Sequence, residues 1–279
     1  MTITVKFKEG GRLGNQLFQY ATLRNLSILK GYKMHINTDF EVQGQTCLLQ
    51  YFNINNSSQI DKIEHSYYQP LFTKACANFF DHNLYKINDN TQLDGYFENI
   101  KYFRENTETI QNELTIKDDK INMVVNNYIN DMNKDGSKII AIHFRRGDVV
   151  QQVTDVNDFN EFSKKFVKES LETIMKSESN VKIIVFTGGQ RKKGAMHWWL
   201  KNNHDDDITW VNNFISEYQS NNIYLSPGSN MNNELIDFGL LSKCDYLITP
   251  YQSTFSFMAY FVNKKIIKMF SPTNLYGLK

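Results

Sequence analysis

The sequence predicts an α/β protein built on parallel sheets. Three observations carry this. The chain opens as strand, glycine loop, helix, strand, which is a βαβ unit. Its second half alternates short β-branched runs with helical stretches. Between these runs a charged cluster, His143-Phe-Arg-Arg-Gly-Asp148, follows the apolar stretch Lys138-Ile-Ile-Ala-Ile142, where a buried strand should end. Such a position faces the crevice in which open α/β sheets bind ligands.

The elements follow in order. Residues 2–8 alternate like a strand, and 9–16 form a glycine-rich loop. Residues 17–29 carry apolar side chains at helical spacing, with Gly31 as the stop. A strand is expected at 33–37. Residues 40–90 are poorly periodic and predict short helices and loops. A strand at 93–97, a helix start at 99–103 and helices at 110–114 and 121–132 complete the first half. The turn Asn133-Lys-Asp-Gly136 marks the expected boundary between domains 1–134 and 135–279. The second domain reads as strand 138–144, helix 158–176, strand 181–186, turn 187–189 and helix 192–202. Short strands at 209–211 and 223–225, a helix at 233–242 and a strand at 246–249 come next. Ser253 then begins a helix, and 265–269 is the last strand.

The chain has 279 residues, 41% of them hydrophobic, enough for one large core or two ordinary ones. Lys and Arg number 31 against 30 Asp and Glu, so charge gives no case for nucleic acid or an anionic membrane as the main partner. Cys47, Cys76 and Cys244 are odd in number and widely spaced, which argues against a disulfide framework or a zinc site. No apolar stretch reaches the length of a membrane span, and the amino terminus lacks a signal-type apolar region. The expected location is cytoplasmic.

Several clusters could carry chemistry. Arg145 and Arg146 suit a diphosphate, because guanidinium groups fork onto phosphate oxygens and keep their charge. The alternative is an arginine pair that forms ion pairs with a neighbouring helix. His143 beside them is a candidate, or a satisfied structural histidine. In the first loop, Gly10, Gly11 and Gly14 permit tight turns, and Asn15 and Gln16 lie near a helix start that favours anions. The plainer reading is a glycine turn with Asn15 as helix cap. Gln252-Ser-Thr-Phe-Ser256 is a possible phosphate cradle or an ordinary Ser/Thr cap. Asp237 could accept N–H donors from a guanine edge, or sit on a solvated helix face. Asp205-Asp-Asp207 has no further metal ligand at useful spacing and reads as a solvated turn.

Together these segments resemble the α-1,2-fucosyltransferases of glycosyltransferase family 11. Gly11-Arg-Leu-Gly-Asn-Gln-Leu-Phe-Gln-Tyr-Ala21 resembles that family's amino-terminal motif. Gly95-Tyr-Phe-Glu-Asn-Ile-Lys-Tyr-Phe103 resembles its aromatic segment. His143-Phe-Arg-Arg-Gly-Asp148 is similar to the HxRRxD motif shared with α-1,6- and protein O-fucosyltransferases. Asp237-Phe-Gly-Leu-Leu-Ser-Lys-Cys244 and Ser253-Thr-Phe-Ser256 resemble the carboxyl-terminal motifs, and all five occur in order.

The resemblance implies a GT-B-like fold with two Rossmann-type domains facing a central cleft, the first on the acceptor side and the second binding the GDP-sugar. It implies GDP-β-L-fucose as donor, a galactose-containing glycan as acceptor, inversion at the anomeric carbon, and no cofactor or obligatory metal. By the same resemblance, Arg145 would bind the diphosphate and stabilise the departing charge, supported by His143 and Arg146. Ser253, Thr254 and Phe255 would hold phosphate and nucleoside, and Asp237 would read guanine. Gly11, Arg12 and Gly14 belong to the donor-binding set, and Asn15 would reach the donor from the other domain. For the base, Asp148 and Glu98 are the candidates, and Asp148 has the alternative task of orienting the arginines. The chain departs from the family at Phe186-Thr-Gly-Gly189, where a pair of carboxylates is usual, and at Phe257-Met-Ala-Tyr260. A transferase of another sugar or linkage, and a nucleotide-sugar binder without activity, are the alternative readings.

Overall fold

The computed structural model describes residues 1–7, 11–39, 41–42, 45–57, 62–70, 79–188, 204–218, 220, 222–272 and 276–277. The chain divides into two compact units, Met1–Lys117 with Asn274–Lys279, and Asp118–Thr273. The division falls ahead of the helix at 119–132, where the sequence reading put it behind. That helix has Val125, Ile129 and Met132 on one buried face, packed on a helix of the second unit.

The first unit contains β1 (Thr2–Lys6), α1 (Leu13–Lys30), β2 (Lys33–His35), the small antiparallel pair β3 (Glu41–Val42) and β4 (Gln45–Thr46), β5 (His65–Tyr68), β6 (Thr91–Asp94) and α2 (Thr107–Glu113). Its main sheet has the order β2-β1-β6-β5, with all pairs parallel. Helix α1 begins four residues earlier than its apolar spacing predicts. Arg12 is its cap residue and makes no side-chain cap bond, so Asn15 lies in the first turn and is not the cap. Gly14 is likewise helical instead of belonging to the loop turn. The stop at Gly31 is as expected: its φ is 65°, and Tyr32 N–H returns to the Ser27 carbonyl at 3.1 Å.

The strand expected at 93–97 ends at Asp94 because the next residues turn away. Phe97 adopts φ 54°, held by Gln69 Oε1, which accepts from the N–H groups of Tyr96 at 3.0 Å and Phe97 at 2.8 Å. A Cβ on Gly95 would lie 2.5 Å from Gln69 Cβ, so the approach requires glycine. Residues 100–102 form a 3₁₀ turn capped by Asn99, not the start of an α-helix. Strand β5 was not expected in the 40–90 segment. It is a mostly exposed edge strand and has no apolar alternation to announce it.

The second unit contains α3 (Asp119–Met132), β7 (Lys138–Phe144), α4 (Val149–Gln152), α5 (Val156–Met175), β8 (Val181–Thr187), α6 (His204–Glu217), β9 (Ile223–Leu225), α7 (Pro227–Met231), α8 (Glu234–Leu241), β10 (Tyr246–Ile248), α9 (Thr254–Val262) and β11 (Lys268–Phe270). Its sheet has the order β11-β10-β7-β8-β9, again wholly parallel. Parallel strands covered on both faces need near-continuous apolar sequence, and β7 is buried from Ile139 to Phe144. Val167, Leu171 and Ile174 of α5 pack with Ile140, Ile142 and Val185 in one core cluster. Asp155 caps α5 by accepting from Asn157 and Asp158 N–H groups.

The strand expected at 209–211 is instead part of α6, whose Val211 and Phe214 join the same core. The last strand lies three residues later than expected, at its start, and α4 and α7 were not foreseen. The helix expected at 192–202 lies outside the described residues, as do Gly10, Cys76 and Gly189. Among the described residues, no helix is long and apolar enough to cross a membrane.

Candidate active site

In the second sheet the chain runs from central β7 outward to β8 and β9, then returns to the other side of β7 for β10 and β11. The strand order therefore reverses between β7 and β10, and such a switch point opens a crevice beyond the carboxyl ends of the strands. The register shows it opening. On the β8 side, β7 stays paired through Phe144, opposite Thr187. On the β10 side, pairing stops at Ile142 opposite Ile248. His143 and Arg145 follow where the two strands part.

Arg145 spans this gap. Its Nη1 donates to the Gln252 carbonyl at 3.2 Å and its Nη2 to Asp148 Oδ2 at 3.3 Å. Its side chain keeps 34% exposure, so the guanidinium is positioned yet reachable from solvent. Arg146, the next residue, has the opposite surroundings and is 6% exposed. Its Nε donates to Asp207 Oδ1 at 3.1 Å, its Nη1 to Asn160 Oδ1 at 2.7 Å, and its guanidinium stacks 4.1 Å over Trp210. Burial lowers the Arg146 pKa, while the Asp207 charge and hydrogen bond oppose that shift. Of the two readings the sequence offers for this cluster, Arg146 takes the helix ion pair, while Arg145 stays reachable from solvent.

Asp207 corrects another expectation. The run 205–207 was read as a solvated turn, but Asp207 lies in α6, is 2% exposed and accepts a second bond from Gly147 N–H at 2.9 Å. Neither Asn160, Trp210 nor Asp207 was picked out from sequence. The only available signal was the acidic run itself, because the partners lie 14 and 61 residues from Arg146 along the chain.

His143 is 4% exposed. Its Nδ1 makes a short hydrogen bond with Ser256 Oγ, and its ring lies 5.7 Å from that of Phe255, both on α9. Ser253 caps α9, its Oγ accepting from Ser256 N–H at 3.3 Å. Thr254 and Phe255 occupy the first turn. The amino end of α9, beside the Gln252 carbonyl held by Arg145, thus presents a helix terminus to the crevice, where backbone dipoles favour anions. The Ser253 hydroxyl itself serves its helix, as the plainer sequence reading had it.

Asp237 is also not on a solvated face. It is 4% exposed, with Oδ1 accepting from Ser226 Oγ and Oδ2 from Ser229 Oγ at 2.8 Å. Ser229 Oγ in turn accepts from Thr187 N–H at 3.2 Å, linking α7 and α8 to the end of β8. Desolvation pushes the Asp237 carboxyl up to about 7, against the two serine hydrogen bonds. Gly11, Arg12, Gly14, Asn15 and Glu98 belong to the first unit, and the remaining candidates to the second. Among the described residues, no group of three or more His, Cys, Asp or Glu side chains is arranged to hold a metal ion.

A parallel α/β unit with a solvent-reachable arginine and a helix amino terminus at its switch point has the chemistry to hold an anionic group there. The chain belongs to glycosyl transferase family 11, whose model matches residues 1–276. Solved structures are similar in fold. The fucosyltransferase NodZ from Bradyrhizobium matches with a TM-score of 0.57 and 13% identity, over 96% of this chain and 93% of that one. NodZ alpha-1,6-fucosyltransferase soaked with GDP-fucose gives a TM-score of 0.55 at 13% identity, with the same coverage. A mutant FUT1 of Arabidopsis thaliana in complex with GDP gives 0.53 at 15% identity, over 98% of this chain and 70% of that one. Comparison with curated proteins finds no match. The α/β class expected from sequence is the fold these structures share.

Proposed function

We propose that this protein transfers L-fucose from GDP-β-L-fucose to a galactose-type hydroxyl of a glycan, forming an α-1,2 linkage with inversion and without a metal. The observation that carries the reading is Arg145, fixed between the β7 end and the Gln252 carbonyl beside the amino end of α9. The GDP-fucose soaked into the NodZ structure and the ordered family motifs support GDP-fucose as the sugar nucleotide.

In this mechanism the Arg145 guanidinium forks onto the diphosphate and stabilises the charge that grows on GDP as the glycosidic bond breaks. The α9 terminus, with Thr254 and Phe255, supplies N–H dipoles to the same group. His143 supports the site from below by holding Ser256, and Arg146 supports it through the loop backbone. Asp237, once ionised, accepts guanine N–H donors at the lone pairs its two serine hydroxyls leave open. Asp148, bonded to Arg145, suits the orienting task better than that of base. A second reading keeps the GDP-sugar but changes the sugar or the linkage. It is favoured by the end of β8 at Thr187, followed by Gly188, with no carboxylate at either position.

Release of GDP from GDP-fucose, with and without galactose-terminated acceptors in EDTA, tests the proposal. Acceptor-dependent release supports a metal-independent transferase, and linkage analysis of the product checks α-1,2. Release that needs added divalent metal would overturn the metal-free mechanism. Faster turnover of another GDP-sugar would favour the second reading, and binding without turnover would leave a nucleotide-sugar binder.

A further inference from the structure

We propose that Asp207 is the positioning residue for Arg145. It holds the loop that follows β7 so that the Arg145 guanidinium stays at the crevice without Asp207 itself reaching a ligand. This rests on the reading of Arg145 as the diphosphate-binding cation.

The geometry is specific. One buried carboxylate spends its two oxygens on consecutive residues, Arg146 through Nε and Gly147 through its backbone N–H. Those are the two residues directly after Arg145. Gly147 has φ 54°, the left-handed region, so the loop reverses there, and the bond to its N–H locks the reversal. The grip comes from several elements. Trp210, three residues along α6 from Asp207, stacks on Arg146, and Asn160 of α5 takes its Nη1. From β8, Gly188 lies against the same backbone: a Cβ there would sit 3.6 Å from Gly147 N and 3.8 Å from Arg146 N.

Arg146 and Gly147 are thus held from α5 and α6, with Gly188, just after β8, packed close to their backbone. A cation held this way loses less freedom on binding, and a fixed cation stabilises a leaving diphosphate better than a mobile one. The second arginine of the pair serves as the handle by which α6 holds the first.

Titration calorimetry with GDP on the full chain tests the inference through a double-mutant cycle of D207N and R145K. R145K keeps a charge but places it on a flexible stem without the planar fork, so it depends little on loop geometry. The expected result is that D207N weakens GDP binding by about tenfold in the Arg145 protein and by less than about twofold in the R145K background. Equal weakening in both backgrounds, or none in either, would overturn the positioning role. G147A perturbs the same turn from the backbone while keeping the ion pair, and it must show the same coupling. It stands in if D207N does not fold. Wild-type protein that binds no GDP would instead sink the functional reading, and this inference with it.

Discussion

Asp237 ties the electrostatics of the second unit to pH. Its carboxyl is pushed from the ordinary 3.8 up to about 7, first by burial, with Glu234 adding repulsion and the hydroxyls of Ser226 and Ser229 pulling the other way. A folded chain therefore holds a proton at Asp237 between about pH 4 and pH 7, where the unfolded chain has released it. The contribution to stability is complete below about pH 4 and is lost as the pH rises through 7. At about 1.4 kcal/mol per pH unit, the window is worth on the order of 4 kcal/mol. Asp237→Asn stays neutral throughout and resembles the protonated acid, with one acceptor and one donor end. Chemical denaturation of both proteins from pH 4.5 to 8.5 reads the effect. The stability of the wild type relative to Asp237→Asn should fall by about 3 kcal/mol across that range. Subtracting the variant removes every other titrating group. A constant difference would refute the reasoning. So would an opposite slope, which would mean that the serine hydrogen bonds outweigh desolvation and depress the carboxyl.

Three further outcomes follow from the packing. Arg145→Ala should lower transfer by at least about 100-fold, as loss of a fixed transition-state donor does, with circular dichroism and melting unchanged because the side chain is one-third exposed. Melting lowered together with activity would make Arg145 structural. Gly31→Ala meets no atom within 4 Å, so only its φ of 65° opposes the change, and a loss of about 1 kcal/mol is expected on denaturation. Leu171→Ala empties a fully packed position between α5 and the sheet and should cost about 2–5 kcal/mol. A loss below about 1 kcal/mol there would contradict the core assignment.

The sequence made legible what a single element decides. Strand β7 must be apolar on both faces, so Ile139 to Ile142 announced it, and the charges after it announced its end. Gly31 marked a helix stop because few other residues take that backbone conformation easily. What stayed hidden depends on partners distant in the chain. Thr209-Trp-Val211 reads as a strand by composition, yet Val211 and Phe214 lie three apart on a helix that packs into the core. His65-Ser-Tyr-Tyr68 shows no alternation because an edge strand buries little. Asp207 looks solvated because two acids precede it, and its burial is made tolerable by Arg146, 61 residues away, together with Gly147 N–H.

The same reasoning explains why two identical neighbours divide their tasks. Arg145 and Arg146 follow the end of β7 and meet separate sets of partners. Arg145 leaves toward β10, where pairing has already ended at Ile142, and meets a carbonyl and solvent. Arg146 leaves toward α5 and α6, where it must find a charge or lose several kcal/mol to desolvation. Asp207 supplies that charge, and its second oxygen reaches Gly147 N–H. The paired-arginine motif therefore divides into one solvent-reachable cation, which the proposed function assigns to the diphosphate, and one anchor. Asp207, in a part of the chain that the motif does not include, completes the anchor.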